Sequence, residues 1–98
     1  MPINLDSYPT KNSDFEMSEL DDEIILFSVA NEKAVYLNAS AQLIWHLCSG
    51  EHSITEIIEE LQSQYPEETN IASQTIDAIE AMIEDTVITL SSFAQKNI

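Results

Sequence analysis

The chain has 98 residues, 44% of them apolar, and sets 18 acidic side chains against three lysines (Lys11, Lys33, Lys96) and no arginine, for a net charge of −15. That length makes one domain with one core. A surface this negative repels nucleic acid and anionic membranes, which are bound chiefly through Lys and Arg, and without arginine there is no bidentate fork for phosphate or carboxylate.

No apolar run approaches the ~18–20 residues that span a bilayer. The opening MPINLDSYPTKN lacks the basic and apolar regions of a signal peptide. One cysteine, Cys48, forms no internal disulfide. The expectation is a cytosolic protein.

Residues 1–13, with Pro2 and Pro9, read as a loose polar lead-in. A short strand is expected near Phe15–Ser18, with Phe15 and Met17 on one face. Asp21-Asp22 reads as a turn. Glu23–Ala30 (EIILFSVA) is a strand by its Ile, Val and Phe content and its length between turn signals. Asn31-Glu32 separates it from Lys33–Leu37 (KAVYL), so the two form a hairpin, with Val35 and Leu37 on one face and Ala34 and Tyr36 on the other.

Three helices follow. Asn38 caps the first, Ala39 to about Ser49, whose Ala41, Ile44, Trp45 and Cys48 form a stripe widened by Leu43 and Leu47. Gly50 suits the left-handed position at its end. SITE, Ser53 to Glu56, is a capping box for the second helix, with Ile54, Ile57, Ile58, Leu61 and Tyr65 inward and Pro66 beyond its end. The third starts near Thr69 or Asn70 and runs to about Thr86. Its inner stripe is Ala72, Ile76, Ile79 and Ile83, and Asp77, Glu80 and Glu84 face water. Val87–Leu90 reads as a strand-like tail, and residues 91–98 as frayed.

HLCSGEH gathers His46, Cys48 and His52, all metal-ligand types. Cys48 lies on a buried stripe, His46 points elsewhere, His52 lies past Gly50, and no fourth ligand has matching spacing, so a core thiol and two surface histidines are expected rather than a metal site. A lone cysteine also excludes an internal iron–sulfur cluster. No nucleophile–base pair stands out by spacing, and one glycine makes no phosphate loop, so neither an enzyme nor a cofactor is expected. An acyl carrier would need Asp-Ser-Leu at a helix start. The nearest match, Asp6-Ser7-Tyr8, lies in the lead-in, and the strands disagree with an all-helical bundle.

Beside the inner row of the third helix, Ile71, Thr75, Ala78 and Met82 align on one flank. Either that flank packs on the sheet, or it is one wall of a groove. The other wall would be Lys33–Leu37, if that strand lies at an open edge whose backbone groups await an extended peptide.

The run YLNASAQLIWHLCSG, then SITEIIEEL, then a long acidic third helix resembles the PqqD-like proteins, the recognition elements of pathways that modify ribosomally made peptides. Leu37-Asn38, Ala41, Ile44-Trp45, Leu47, Gly50, Thr55-Glu56-Ile57-Ile58 and Leu61 carry the resemblance, over about Glu23 to Ile88. It implies an α+β, winged helix-turn-helix-like domain over residues 14–90, a three-stranded antiparallel sheet followed by three helices. It implies a binding rather than a catalytic role: the leader segment of a precursor peptide is captured as an added strand and presented to a modifying enzyme, such as a radical SAM enzyme, cyclase or protease. The strand role would fall on Lys33, Ala34, Val35, Tyr36 and Leu37, and the groove role on Thr75, Ala78, Ile79, Met82 and Ile83. Any charged leader residue read here should be Lys or Arg, and an open sheet edge would also admit a homodimer. The winged-helix likeness raises DNA binding, but the third helix offers Asp77, Glu80, Glu84 and Asp85 where phosphates need cations. The alternative is an acidic interaction protein that mimics nucleic acid or inhibits a basic partner. Its binding would fall steeply with salt.

Overall fold

The computed structural model describes residues 3–94. In chain order the elements are β1 (Tyr8–Lys11), β2 (Glu16–Leu20), β3 (Glu23–Ser28), β4 (Lys33–Leu37), α1 (Ala39–Leu47), α2 (Ile54–Gln64), α3 (Ile71–Glu84) and β5 (Ile88–Ser91). The expected α+β architecture is present: β2, β3 and β4 form a three-stranded antiparallel sheet in that order, and three helices follow.

Tight turns set the sheet's register. Leu20 pairs with Glu23 across the two-residue loop Asp21-Asp22, and Asp21 takes a φ of 56°, a left-handed conformation that aspartate tolerates better than most residues. At the next turn the Glu32 N–H donates to the Val29 carbonyl at 3.3 Å, with Glu32 at φ 51°. The resulting register puts Ile24 opposite Leu37 and Leu26 opposite Val35. Ile24, Leu26 and Leu37 are buried, so alternate residues of β3 and β4 face the helices.

The core is completed by Ile44, Trp45 and Cys48 around α1, by Ile54, Ile57, Ile58 and Leu61 of α2, and by Ile79 and Met82 of α3. Both caps read from the sequence form. The Asn38 side chain accepts from the Ala41 N–H, and Ser53 and Glu56 close a reciprocal box at 3.1 and 2.8 Å.

The lead-in departs from its expected irregularity. Residues 8–11 form β1, which pairs antiparallel with β5 in a second, two-stranded sheet, Tyr8 opposite Ser91 and Lys11 opposite Ile88. The cause is a series of backbone bonds that a hydropathy pattern does not reveal: Gly50 N–H to Pro9 O (2.8 Å), Lys11 N–H to Cys48 O (3.1 Å), Ile54 N–H to Ser7 O (3.0 Å) and Thr55 N–H to Leu5 O (3.1 Å). Pro9 is thereby fully buried, and the Lys11 ammonium sits 4.6 Å from the Trp45 ring centroid. Gly50, at φ 86° and buried beneath this strand, needs both its conformational freedom and its missing side chain. The strand expected near Phe15–Ser18 runs from Glu16 to Leu20, with Phe15 packed on the core just before it. Of the tail expected to fray, Ser91 belongs to β5, and residues 95–98 lie outside the described residues.

α3 ends in a double-bonded turn: the Thr86 N–H donates to Ile83 O at 2.9 Å and the Val87 N–H to Met82 O at 3.0 Å. The left-handed residue is Thr86, at φ 64°, an uncomfortable place for a β-branched side chain. Asn12 spans the turn, donating from its side chain to Thr86 O (2.7 Å) and from its backbone to Val87 O (2.9 Å).

Candidate functional site

Among the described residues β4 has a hydrogen-bonded neighbour on one side alone, β3. Its other edge opens on a cleft of about 460 Å³ whose far wall is α3. The lining is Val35, Tyr36, Leu37 and Asn38 from β4 and its exit, Ser40 and Ala41 from the start of α1, and Gln74, Asp77, Ala78, Ala81, Met82 and Asp85 from α3 and its cap. The volume lies within the usual range for ligand clefts, ~300–1,000 Å³. Its floor is apolar because Val35 and Leu37 alternate inward and Met82 meets them from the helix. Ala78 and Ala81 are small enough to hold the helix wall back.

The residues expected to act together divide into four groups. Val35, Tyr36, Leu37, Ala78 and Met82 line the cleft. Tyr36 stands 70% exposed beside it, while Met82 is 3% exposed and belongs equally to the core. Lys33 and Ala34 continue the same edge. Ala34 is exposed, and Lys33 reaches across to Asp85 at 3.9 Å. Thr75 and Ile79 are buried among the packed residues, at 1% and 0% exposure, and neither lines the cleft. Ile83 turns to a different surface, shared with Ile3, Glu80 and Glu84. The flank at Ile71, Thr75, Ala78 and Met82 is therefore partly core.

The face that α3 shows the cleft lies further round, at Gln74, Ala78, Ala81 and Asp85, with Asp77 beside them. Intervals of four, three and four residues make one helical stripe, legible in principle as the border between apolar and charged faces. Asn38 reads from the sequence as a cap, Ala41 as part of the core stripe of α1, and Ser40 carries no signal of its own. They reach the cleft because a single residue separates β4 from α1.

Other candidate chemistry resolves into packing. Cys48 is buried, its thiol donates to the Ile44 carbonyl at 3.2 Å, and burial pushes its pKa up from 9.0 to about 12, only partly opposed by the Lys11 charge. His46 and His52 are exposed. Among the described residues, no group of three or more His, Cys, Asp or Glu side chains is placed to hold a metal ion, and no helix is long and apolar enough to cross a membrane.

These elements make an α+β domain with one sheet edge left open beside its last helix. Residues 23–88, more than half of the chain, match the family model described as coenzyme PQQ synthesis protein D (PqqD), and the chain belongs to that family. Among solved structures it is similar to that titled "TbiB1 in Complex with the TbiA(beta) Leader Peptide", with 18% identity, a TM-score of 0.68, and coverage of 88% of this chain and 99% of the other. At that identity the likeness speaks for the shared fold. Among curated proteins, none matches the chain.

Proposed function

We propose that this protein binds the leader segment of a ribosomally made precursor peptide as an added strand on β4 and presents it to a separate modifying enzyme. Membership of the PqqD family supports this reading, as does a structural neighbour whose title names a leader peptide complex. The observation that carries it is the cleft: a strand edge of five residues, unpaired among the described residues, faces a helical wall that has Ala78, Ala81 and Met82 at its centre, across about 460 Å³. The edge offers backbone partners for roughly two to four hydrogen bonds, each contributing ~0.5–1.5 kcal/mol net. Two or three leader side chains entering between Val35, Leu37, Ala78 and Met82 would add ~1.5–3 kcal/mol each before ordering costs. Val35, Tyr36, Leu37, Ala78 and Met82 would hold the peptide directly, with Lys33 and Ala34 extending the strand. Thr75, Ile79 and Ile83 would support the wall from behind.

The modifying enzyme would be of the radical SAM, cyclase or protease type, and the setting cytoplasmic. A second copy could use the same edge, so dimerisation and peptide binding would compete. Selection of random dodecapeptides displayed on phage tests the reading. Bound peptides should shift the amide resonances of Val35–Leu37 and of Ala78–Met82 and lose affinity when Ala81 is replaced by Trp. Enriched peptides that map to another surface, or no enrichment at all, would overturn it. An affinity that collapses between low and moderate salt whatever the peptide would favour a charge-mimicking role instead.

A further inference from the structure

The charged side chains lining the cleft are two, Asp77 and Asp85, both carboxylates on the α3 side. Asp85 is the C-cap of α3 and follows Glu84, with no basic residue in the last turn. Glu84 and Asp85 thus stand where the helix dipole already concentrates negative partial charge, an arrangement that a cation would relieve, and Asp77 lies about two turns earlier on the same helix. What relief the chain supplies itself is slight. Lys33 meets Asp85 at 3.9 Å, with the two side chains 35% and 47% exposed, a long contact half in solvent. The Asp77 side chain makes neither hydrogen bond nor ion pair among the described residues. Between the two carboxylates the wall is formed by Ala78 and Ala81, which leave a shallow apolar track suited to the methylene stem of a long cationic side chain.

We infer that the groove selects a peptide segment bearing a lysine or arginine whose stem lies along Ala78 and Ala81 and whose charge pairs with Asp85 at the helix end, with Asp77 about two turns back adding to the negative field. This rests on the peptide-binding reading of the groove and adds the chemistry of its guest. Lys33 then acts as a weak internal competitor, occupying Asp85 until a guest cation displaces it. Overall negative charge would draw in any basic peptide. The groove predicts something narrower, one cationic position in fixed register with the apolar residues that enter beside it.

The test is the same random dodecapeptide selection, read by composition and by four variants. Against the unaltered protein, enriched peptides should carry Lys or Arg at one fixed position. Replacing that residue in the best peptide by norleucine should weaken binding roughly 3- to 10-fold, and Asp85→Asn should cost a similar factor and Asp77→Asn a smaller one with the cationic peptide, and both little with the norleucine one. Lys33→Met keeps the aliphatic stem and frees Asp85, so it should tighten the cationic peptide, a gain that damage to the fold does not produce. Glu59→Gln with Glu60→Gln, on the outer face of α2, should leave the preference in place. Groove-directed peptides without a fixed cationic position, or a preference that survives both Asp→Asn changes or disappears with the α2 variant, overturn this inference while leaving the peptide site standing. Absence of any groove-directed peptide overturns both.

Discussion

The three-stranded sheet has two open edges, and they are built differently. β2 ends one side with EMSEL: Glu16 and Glu19 place charge along the edge, and every residue is exposed. β4 ends the other with KAVYL, where charge is confined to Lys33 at the far end and α3 forms a wall across the cleft. Charged edge residues discourage strand addition, and an edge without an apolar wall offers a guest backbone bonds but nowhere to bury its side chains. An unpaired edge is therefore only half of a site. β4 has both halves because Val35 and Leu37 point to the same side as Met82.

The comparison breaks most completely if the wall is removed. Met82 contributes to the cleft but is 3% exposed within the core, so Met82→Asp buries a carboxylate among apolar neighbours and should destabilise the whole domain by ~3–5 kcal/mol, read as a lowered denaturant midpoint. Loss of binding in that variant would therefore say nothing about the groove. Ala81 is the better probe, since it lines the cleft and is exposed. Ala81→Trp should fill the cleft and weaken a selected peptide by roughly 100-fold or more, with thermal stability changed little. Ser18→Trp on β2 should leave affinity untouched. Equal losses in the two variants would show that the edges are not distinct.

Smaller effects sharpen the picture of the wall's support. Asn12→Ala removes the clamp on the turn after α3 and should cost ~1–2 kcal/mol in chemical denaturation. Thr86→Gly relieves a left-handed β-branched residue at the same turn and should raise stability by ~0.5–1 kcal/mol. Least visible at neutral pH is Cys48. Its thiol is raised to about 12 in the folded protein, so the unfolded chain loses its proton first, and stability should fall as pH rises from about 9 toward 12. Cys48→Ala should flatten that part of a pH–denaturation profile, and iodoacetamide should label the native thiol slowly throughout.

Several of these features were legible without coordinates. The capping box at Ser53–Glu56, the Asn38 cap, the hairpin around Asn31-Glu32 and the apolar stripes of α1 and α2 rest on interactions between residues at most a few positions apart, and local sequence specifies them. The pairing of β1 with β5 was not legible. It joins Tyr8 to Ser91 through backbone groups, and the bonds that bury Pro9 leave no periodic trace. On α3 the periodicity located an apolar arc but not its division, because Thr75 and Met82 alternate with Ala78 on a helix packed against the other helices and the sheet alike.

By itself, then, the sequence determined the element types, their order, the caps, the hairpin and an acidic surface unsuited to nucleic acid. Tertiary structure decided which open edge of the sheet has a helix across from it, which face of α3 stands there, and that Asp77 and Asp85 rather than Ile79 or Ile83 look into the cleft. The reason is one of range. Helices, caps and hairpins are set by neighbours within a turn or two of chain, whereas a groove between residues some forty positions apart exists only once the core has fixed how far round its axis the last helix is turned.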